Sequence, residues 1–152
     1  MTLKVEDVMV TDVITISYRA SAKRAAQVMN KHEIGCLIVV KGNKAVGIVT
    51  ERDMLKRVVA KAADPRKTKV EEIMSQPLIV VEPDMDLEDA VKLMFEMKIK
   101  KLPVVEKGKL VGLVSITDIA RFHPHIMDII KKLAVQENVP KRMQKVMCYY
   151  IS

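Results

Sequence analysis

The chain repeats itself, and this repeat restricts its fold more than any other feature of the sequence. When the sequence is aligned with itself at a shift of 65 residues, 16 of the 52 positions from Lys4 to Leu55 are identical, without a gap. Chance at ordinary composition would give about three or four identities. Copies of an internal repeat fold as copies of one structural unit. We therefore predict two equivalent units.

Each copy is predicted to begin with a short strand and a helix. The strand-like run is Val13–Ile16 in the first copy and Leu78–Val81 in the second. Ser21 and Asp86 are suited to cap the helices that follow, because apolar residues then recur at helical spacing. The two copies thus open with the same βα pattern.

Each copy then continues with a pair of strands and a second helix. The predicted strands are Leu37–Val40 with Ala45–Val49, and Leu102–Val105 with Leu110–Val114; the second helices start at Asp53 and Asp118. One such β-α-β-β-α unit buries too little surface to be stable alone, whereas two can pack together. We predict a mixed α/β (α+β) fold in which two repeats form a pseudo-two-fold pair.

The repeat also sets the expected domain boundaries. We place the first repeat at residues 1–62, a charged linker at 63–67 and the second repeat at 68–122. Residues 123–152 have no counterpart in the repeat and are predicted to form a basic, amphipathic helical tail.

Length and composition exclude several classes of protein. The chain has 152 residues, with 26 Lys or Arg against 19 Asp or Glu, and a formal net charge of +7. It is too short for a TIM barrel, and no apolar run approaches the ~20 residues that a membrane-spanning helix needs. The first residues include acids and lack the apolar core of a signal peptide, so we expect a cytoplasmic protein.

Both repeats contain the same motif after their last predicted strand, and this motif points to a family. The last strand of each copy runs into Gly-h-h-Thr/Ser-x-x-Asp, where h is apolar, at residues 47–53 and 112–118. With the Leu-Pro-Val-Val segment at 102–105, these motifs resemble the tandem cystathionine-β-synthase (CBS) domain, or Bateman module, over residues 4–122. The resemblance implies a regulatory ligand-binding protein with no catalytic residues.

The chemistry of this motif suits a nucleotide. The hydroxyl of Thr50 or Ser115 stands before a helix whose first N–H groups can bind an anion. Asp53 or Asp118 follows three residues later, and its carboxylate can accept hydrogen bonds from the two hydroxyls of a ribose. The alternative is a plain helix start in which Thr50 and Ser115 are N-caps.

The family resemblance implies where a ligand binds. Adenosine-containing ligands lie in clefts between the two repeats in this family, so AMP, ADP, ATP or S-adenosylmethionine is the expected ligand, with no required cofactor. By resemblance, the ligand-binding residues are Asp53 and Asp118 at the ribose, Thr50, Arg52, Ser115 and Thr117 at ribose and phosphate, Ile48 and Leu113 lining the cleft, Ile14 and Ile79 at the base, and Lys100, Lys101 and Pro103 at and after the segment before the Leu-x-Val-Val strand.

The two clefts are expected to differ in charge. Each should combine the Asp motif of one repeat with the segment before the strand of the other. The Asp53 cleft would then face Lys98, Lys100 and Lys101, and the Asp118 cleft would face Gly35 and Cys36. Because charge-assisted hydrogen bonds to phosphate are strong, we predict that AMP, ADP or ATP prefers the Asp53 cleft. The Asp118 cleft would hold a less negative ligand such as S-adenosylmethionine, or stay empty. Alternatively, the lysines are a solvated helix end.

Cysteines and histidines leave one weak metal hypothesis. Cys36 lies in an apolar run and is expected to be a small buried residue, and no Cys-x-x-Cys pair is present. His123 and His125 could hold a metal with Cys148 or His32 as a third ligand. The alternative is a loop at the end of a helix, and we expect no metal.

The tail and the assembly leave several interpretations open. One apolar stripe of the tail is Ile126, Ile129, Ile130 and Leu133, and a second is Met143, Val146, Met147 and Tyr150. The tail could pack on the repeats or on a second copy, dock an effector protein, or contact nucleic acid. Besides a nucleotide sensor, the chain could thus be a nucleic-acid-associated regulator or a protein scaffold. A small nucleotide-hydrolysing enzyme is a third alternative, without a motif to support it. We expect a homodimer.

Overall fold

The computed structural model describes residues 3–76 and 78–136 and shows the two predicted repeats. The first contains α1 (Val5–Val8), β1 (Thr15–Ser17), α2 (Ala22–His32), β2 (Cys36–Lys41), β3 (Lys44–Thr50) and α3 (Glu51–Met54), which continues as a π-helical turn over Leu55–Val59. The second contains α4 (Val70–Ile73), α5 (Leu87–Met97), β4 (Lys101–Glu106), β5 (Lys109–Ser115) and α6 (Ile116–Phe122); a 3-10 turn (Pro124–Ile126) and α7 (Met127–Gln136) follow.

The two sheets are built alike but differ at the first strand. In the first repeat, β1 pairs parallel with β2, and β2 pairs antiparallel with β3. In the second repeat, β4 and β5 pair antiparallel, but the predicted strand at Leu78–Val81 is reduced to a single parallel bridge between Val81 and Val104. The prediction of a full strand there was wrong.

Two prolines explain this difference. The N–H of Tyr18 donates to the carbonyl of Val40 at 3.0 Å and extends the β1–β2 pairing, whereas its equivalent in the second repeat is Pro83, which has no N–H. Pro103 likewise stands where the first repeat has Ile38, the residue paired with Thr15. The missing donors leave the second sheet with fewer ladder bonds.

The segment at the start of each repeat, here called its arm, packs on the other repeat. Val5 of α1 is buried in the core of the second repeat, and Val70 and Ile73 of α4 are buried in the core of the first. The arms then add to the outer strands, because Val10 bridges Leu113. Ser75 bridges Ile48 in the same antiparallel manner. Neither short helix was predicted from the sequence.

Two glycines permit this exchange of arms. A Cβ at Gly47 would lie 2.7 Å from the sulfur of Met74, and a Cβ at Gly112 would lie 2.5 Å from the sulfur of Met9. Main-chain oxygens of the arms lie 3.1 Å from the same positions. The glycines of the family motif are therefore needed for close approach of the backbone, not for a phosphate loop.

The described part of the tail packs on the second repeat. Ile126 and Ile130 are buried in its core, and Ile129 packs against it. This confirms, for these three residues of the first stripe, the interpretation that it packs on the repeats. The side chain of Leu133 and the second stripe at 143–150 lie outside the described residues. Among the described residues, no helix has the length and apolar character needed to cross a membrane.

Candidate functional site

Two clefts lie between the repeats. The first has a volume of about 790 Å³ and is lined by the Thr50 end of the first repeat and by Lys98–Lys101 of the second. The second has a volume of about 440 Å³ and is lined by the Asp118 motif of the second repeat and by Glu33–Cys36 of the first. Each cleft therefore combines the motif of one repeat with the segment before the strand of the other, as the sequence analysis expected.

The expected ligand-binding residues divide between these clefts. The first contains Ile48, Thr50, Arg52, Ile79, Lys100, Lys101 and Pro103. The second contains Ile14, Leu113, Ser115, Thr117, Asp118 and again Lys101. Twelve of the thirteen thus line a cleft, and Asp53 is the exception.

The electrostatic character of the clefts differs. The first cleft is lined by Arg52, Lys98, Lys100 and Lys101, with Glu51 as its one carboxylate. The second is lined by two cations, Lys101 and Arg121, and by three carboxylates, Asp12, Glu33 and Asp118. An anion is therefore favoured in the first cleft over the second.

Asp53 is buried beneath the first cleft, and its carboxylate is held by hydrogen bonds from neighbouring residues. Its carboxylate accepts hydrogen bonds from the N–H and the hydroxyl of Thr50, at 2.9 and 3.1 Å, and from the hydroxyl of Ser75 at 2.9 Å. The guanidinium of Arg57 lies 3.7 Å away. Its own N–H donates to the Thr50 hydroxyl at 3.2 Å, which completes a capping box at the start of α3.

Asp118 has different surroundings. Its N–H donates to the hydroxyl of Ser115 at 3.1 Å, so Ser115 caps α6 as Thr50 caps α3. Among the hydrogen bonds of the described residues, none ends on the Asp118 carboxylate, which lines the second cleft. Thr50 and Ser115 are thus N-caps, as the alternative interpretation held, and the helices begin at Glu51 and Ile116, two residues before the predicted starts.

Several lining residues were not predicted. Ser75 and Leu78 come from the beginning of the second repeat, and Asp12 and Arg121 lie just outside the motifs. The repeat offered no signal for Ser75, because the equivalent position in the first copy is Val10. Arg121 lies three residues after Asp118, on the same face of a helix, a spacing that could have revealed it.

Cys36 is buried, as predicted, and it lies between the clefts. The ammonium of Lys101 donates a hydrogen bond to its sulfur at 3.3 Å. The two histidines of the metal hypothesis have ring centroids 5.8 Å apart. In the part of the chain that the structure describes, no three His, Cys, Asp or Glu side chains are grouped to hold a metal ion. Cys148, a proposed third ligand, lies outside that part.

Comparison with known proteins agrees with this architecture. The family model for the CBS domain matches residues 5–60 and 70–125. An uncharacterised protein of Methanopyrus kandleri is 40% identical over 123 residues, which are 80% of this chain and 63% of that protein. The chain therefore spans less than two thirds of this relative's length.

Solved structures are similar in the same region. The hexameric CBS-CP12 protein from bloom-forming cyanobacteria has a TM-score of 0.73 and 31% identity, covering 84% of this chain and 71% of that chain. A CBS domain pair in complex with 5′-methylthioadenosine and S-adenosyl-L-methionine has a TM-score of 0.71 and 29% identity, covering 82% of this chain and 98% of that chain. The chain belongs to the CBS-domain family and carries one CBS pair.

Proposed function

We propose that this chain is a regulatory sensor of adenosine-containing ligands and is not an enzyme. A CBS pair is a regulatory ligand-binding module. The observation that carries the proposal is the first cleft, where the Thr50 end of one repeat meets Lys98, Lys100 and Lys101 of the other. A phosphate there would receive charge-assisted hydrogen bonds, while the apolar Ile48 and Ile79 would contact the base.

The charges of the clefts support different ligands for each. AMP, ADP or ATP fits the first cleft, where cations outnumber carboxylates. A ligand with less negative charge, such as S-adenosylmethionine or 5′-methylthioadenosine, fits the second, where the Asp118 carboxylate is available to two ribose hydroxyls. The related CBS pair that holds these two compounds supports this choice.

The Asp53 carboxylate would bind ribose only by exchanging a partner. A ribose hydroxyl would replace the hydroxyl of Ser75, which donates to Oδ1 of Asp53. Such an exchange would couple ligand binding to the arm that crosses from the second repeat to the first. Signalling would follow from linkage, because a ligand that prefers one arrangement of the repeats shifts the population toward it.

Thermal unfolding with a ligand panel tests the proposal. The panel contains AMP, ADP, ATP, S-adenosylmethionine, 5′-methylthioadenosine, NAD and GTP. A ligand at a hundred times its dissociation constant adds about 2.7 kcal/mol, and the midpoint should rise by several degrees. Arg52→Trp and Thr117→Trp are matched variants, because the two exposed residues are equivalent in the repeats and line one cleft each. Loss of a shift in one variant alone would assign the cleft, and no shift with any ligand would refute the proposal.

A homodimer is part of this proposal. Leu55 and Val59 on the π-helical turn are 63% and 68% exposed, and Phe122 at the equivalent end of α6 is 65% exposed. Leu55 and Val59 lie four residues apart on one helical turn, so their side chains are neighbours, and contiguous exposed apolar surface is typical of association surfaces. The hexameric relative supports association of CBS pairs.

Light scattering on a size-exclusion column tests the dimer. The double variant Leu55→Glu/Val59→Glu should elute as a monomer with an unchanged circular dichroism spectrum. Val80→Glu alters another exposed apolar residue and should leave the dimer intact. A monomeric wild type would refute this part of the proposal and leave ligand binding untouched.

A further inference from the structure

The two clefts share a dividing wall. Gly35, Cys36 and Lys101 line both cavities. Cys36 and Lys101 occupy equivalent positions in the two repeats, and their side chains meet between the clefts, with Lys101 Nζ 3.3 Å from Cys36 Sγ. The repeat thus places one cation where a symmetric pair would place two.

The ammonium of Lys101 is available to a ligand. It has three hydrogen-bond donors, and its one protein partner in the described part of the chain is the Cys36 sulfur, a weak acceptor. None of the ion pairs formed by the described residues includes Lys101. A phosphate or carboxylate in either cleft would be a stronger acceptor than the thiol.

The other cations of the clefts are not shared. Lys98, Lys100 and Arg52 line the first cleft and not the second. Arg121 lines the second and not the first. Lys101 is therefore the one cation among the lining residues on which anions in both clefts would depend.

We propose that Lys101 couples the two clefts and makes binding of anionic ligands negatively cooperative. An anion in the first cleft draws the ammonium to itself, and the second cleft then keeps Arg121 against three carboxylates. A second anion consequently binds more weakly, and an uncharged nucleoside is unaffected. When one cleft holds a phosphorylated ligand, the other cleft therefore binds an uncharged ligand in preference to a second anion. This inference rests on the proposed function, because it requires ligands in both clefts.

Calorimetric titration of the full chain with AMP and with adenosine tests this coupling. The Thr117→Trp variant gives the affinity of the first cleft alone, and the Arg52→Trp variant gives that of the second alone. In wild type, the second AMP should bind about tenfold more weakly than it binds to Arg52→Trp. Adenosine should bind each cleft of the wild type with the affinity found in the single-cleft variants.

Two lysine variants separate the coupling from simple loss of charge. Lys101→Met should weaken AMP binding and abolish the difference between wild type and single-cleft affinities. Lys100→Met should weaken the first cleft and retain the coupling, because Lys100 lines one cleft. Equal AMP affinities in wild type and Arg52→Trp, or coupling that persists in Lys101→Met, would overturn the inference and leave the sensor function standing. Absence of AMP binding to Arg52→Trp would also overturn it, because the second cleft would hold no anion. Failure of AMP to bind any form would likewise overturn the inference, whereas the proposed function is overturned only if no ligand of the thermal-unfolding panel binds.

Discussion

The carboxylate of Asp53 accepts a hydrogen bond of 2.9 Å from Ser75, a residue of the arm that crosses from the second repeat. The equivalent contact is missing at Asp118 in the described structure, because the position equivalent to Ser75 is Val10, which has no donor side chain. The Ser75 contact thus helps to hold the first aspartate in the internal scaffold, whereas the second aspartate lines its cleft without an equivalent contact.

Asp53 should therefore contribute more to stability than Asp118. Asp53→Ala leaves the N–H of Thr50 and the hydroxyl of Ser75 without their acceptor, and we expect a loss of about 2 to 3 kcal/mol. Asp118→Ala removes a favourable charge near a helix N-terminus and should cost less than about 1 kcal/mol. Urea unfolding of both variants measures the difference. Equal losses would show that the contacts of the Asp53 carboxylate with Thr50 and Ser75 add no stability.

This difference affects how ligand binding is tested. A lost thermal shift in Asp53→Ala would not separate a broken site from a weakened scaffold. Ser75→Ala removes the scaffold bond and keeps the carboxylate, so it should raise the affinity for AMP in the first cleft by freeing Asp53 for ribose. Unchanged or weaker AMP binding would contradict the exchange of partners at Asp53.

The arms between the repeats should make their two glycines hard to replace. Gly47→Ala and Gly112→Ala each place a Cβ against a methionine sulfur and a main-chain oxygen, so we expect a loss of about 1 to 3 kcal/mol. Gly35→Ala is a matched control, because its Cβ would meet the side chain of Glu51 at 3.5 Å, an ordinary contact. Urea midpoints of the three variants provide the measurement.

A second-site change identifies the cause of this loss. Met9→Ala combined with Gly112→Ala removes the sulfur but not the oxygen of Val10, 3.1 Å from the same Cβ. The double variant should be more stable than the sum of the two single changes implies. If the losses in stability of the two single variants simply add in the double variant, the Met9 sulfur and the added Cβ do not clash.

Much of the fold could be predicted because the same pattern of residues occurs in both repeats. The strands β2 to β5 and the helix after Ser21 followed from matching residues in two copies, and the crossing of motifs between the clefts followed from the family resemblance. Ser21 caps α2 as expected, accepting from the N–H of Arg24 at 3.0 Å. The burial of Ile126 and Ile130 followed from helical spacing alone.

The rest depends on contacts that a sequence pattern does not record. The helices α1 and α4 have four residues each, too few for a periodic signal, and nothing local tells which repeat they complete. The hydrogen bond from Ser75 to Asp53 joins residues 22 positions apart. The shared position of Lys101 depends on the packing of one repeat on the other.

The ion pair between Lys4 and Asp86 should make stability depend on pH at the alkaline end. Lys4 Nζ lies 2.7 Å from the Asp86 carboxylate and ties the first arm to the start of α5. The hydrogen bond to Asp86, and then its negative charge, raise the pKa of Lys4 above its ordinary value of 10.5. A raised pKa means that the folded state holds this proton more tightly than the unfolded state. The stabilisation is therefore complete below pH 10.5 and is lost as the pH rises through the raised pKa.

Urea midpoints measured across this pH range test the pair. Wild type should exceed Lys4→Met in stability at neutral pH, and the two should converge once Lys4 has lost its proton. Because both side chains are about 40% exposed, the difference should be small and should shrink in high salt. Lys69→Met changes the equivalent lysine of the second repeat, which forms none of the ion pairs found among the described residues. A pH dependence in Lys69→Met that matches that of Lys4→Met would show that the effect comes from net charge and not from the Asp86 contact.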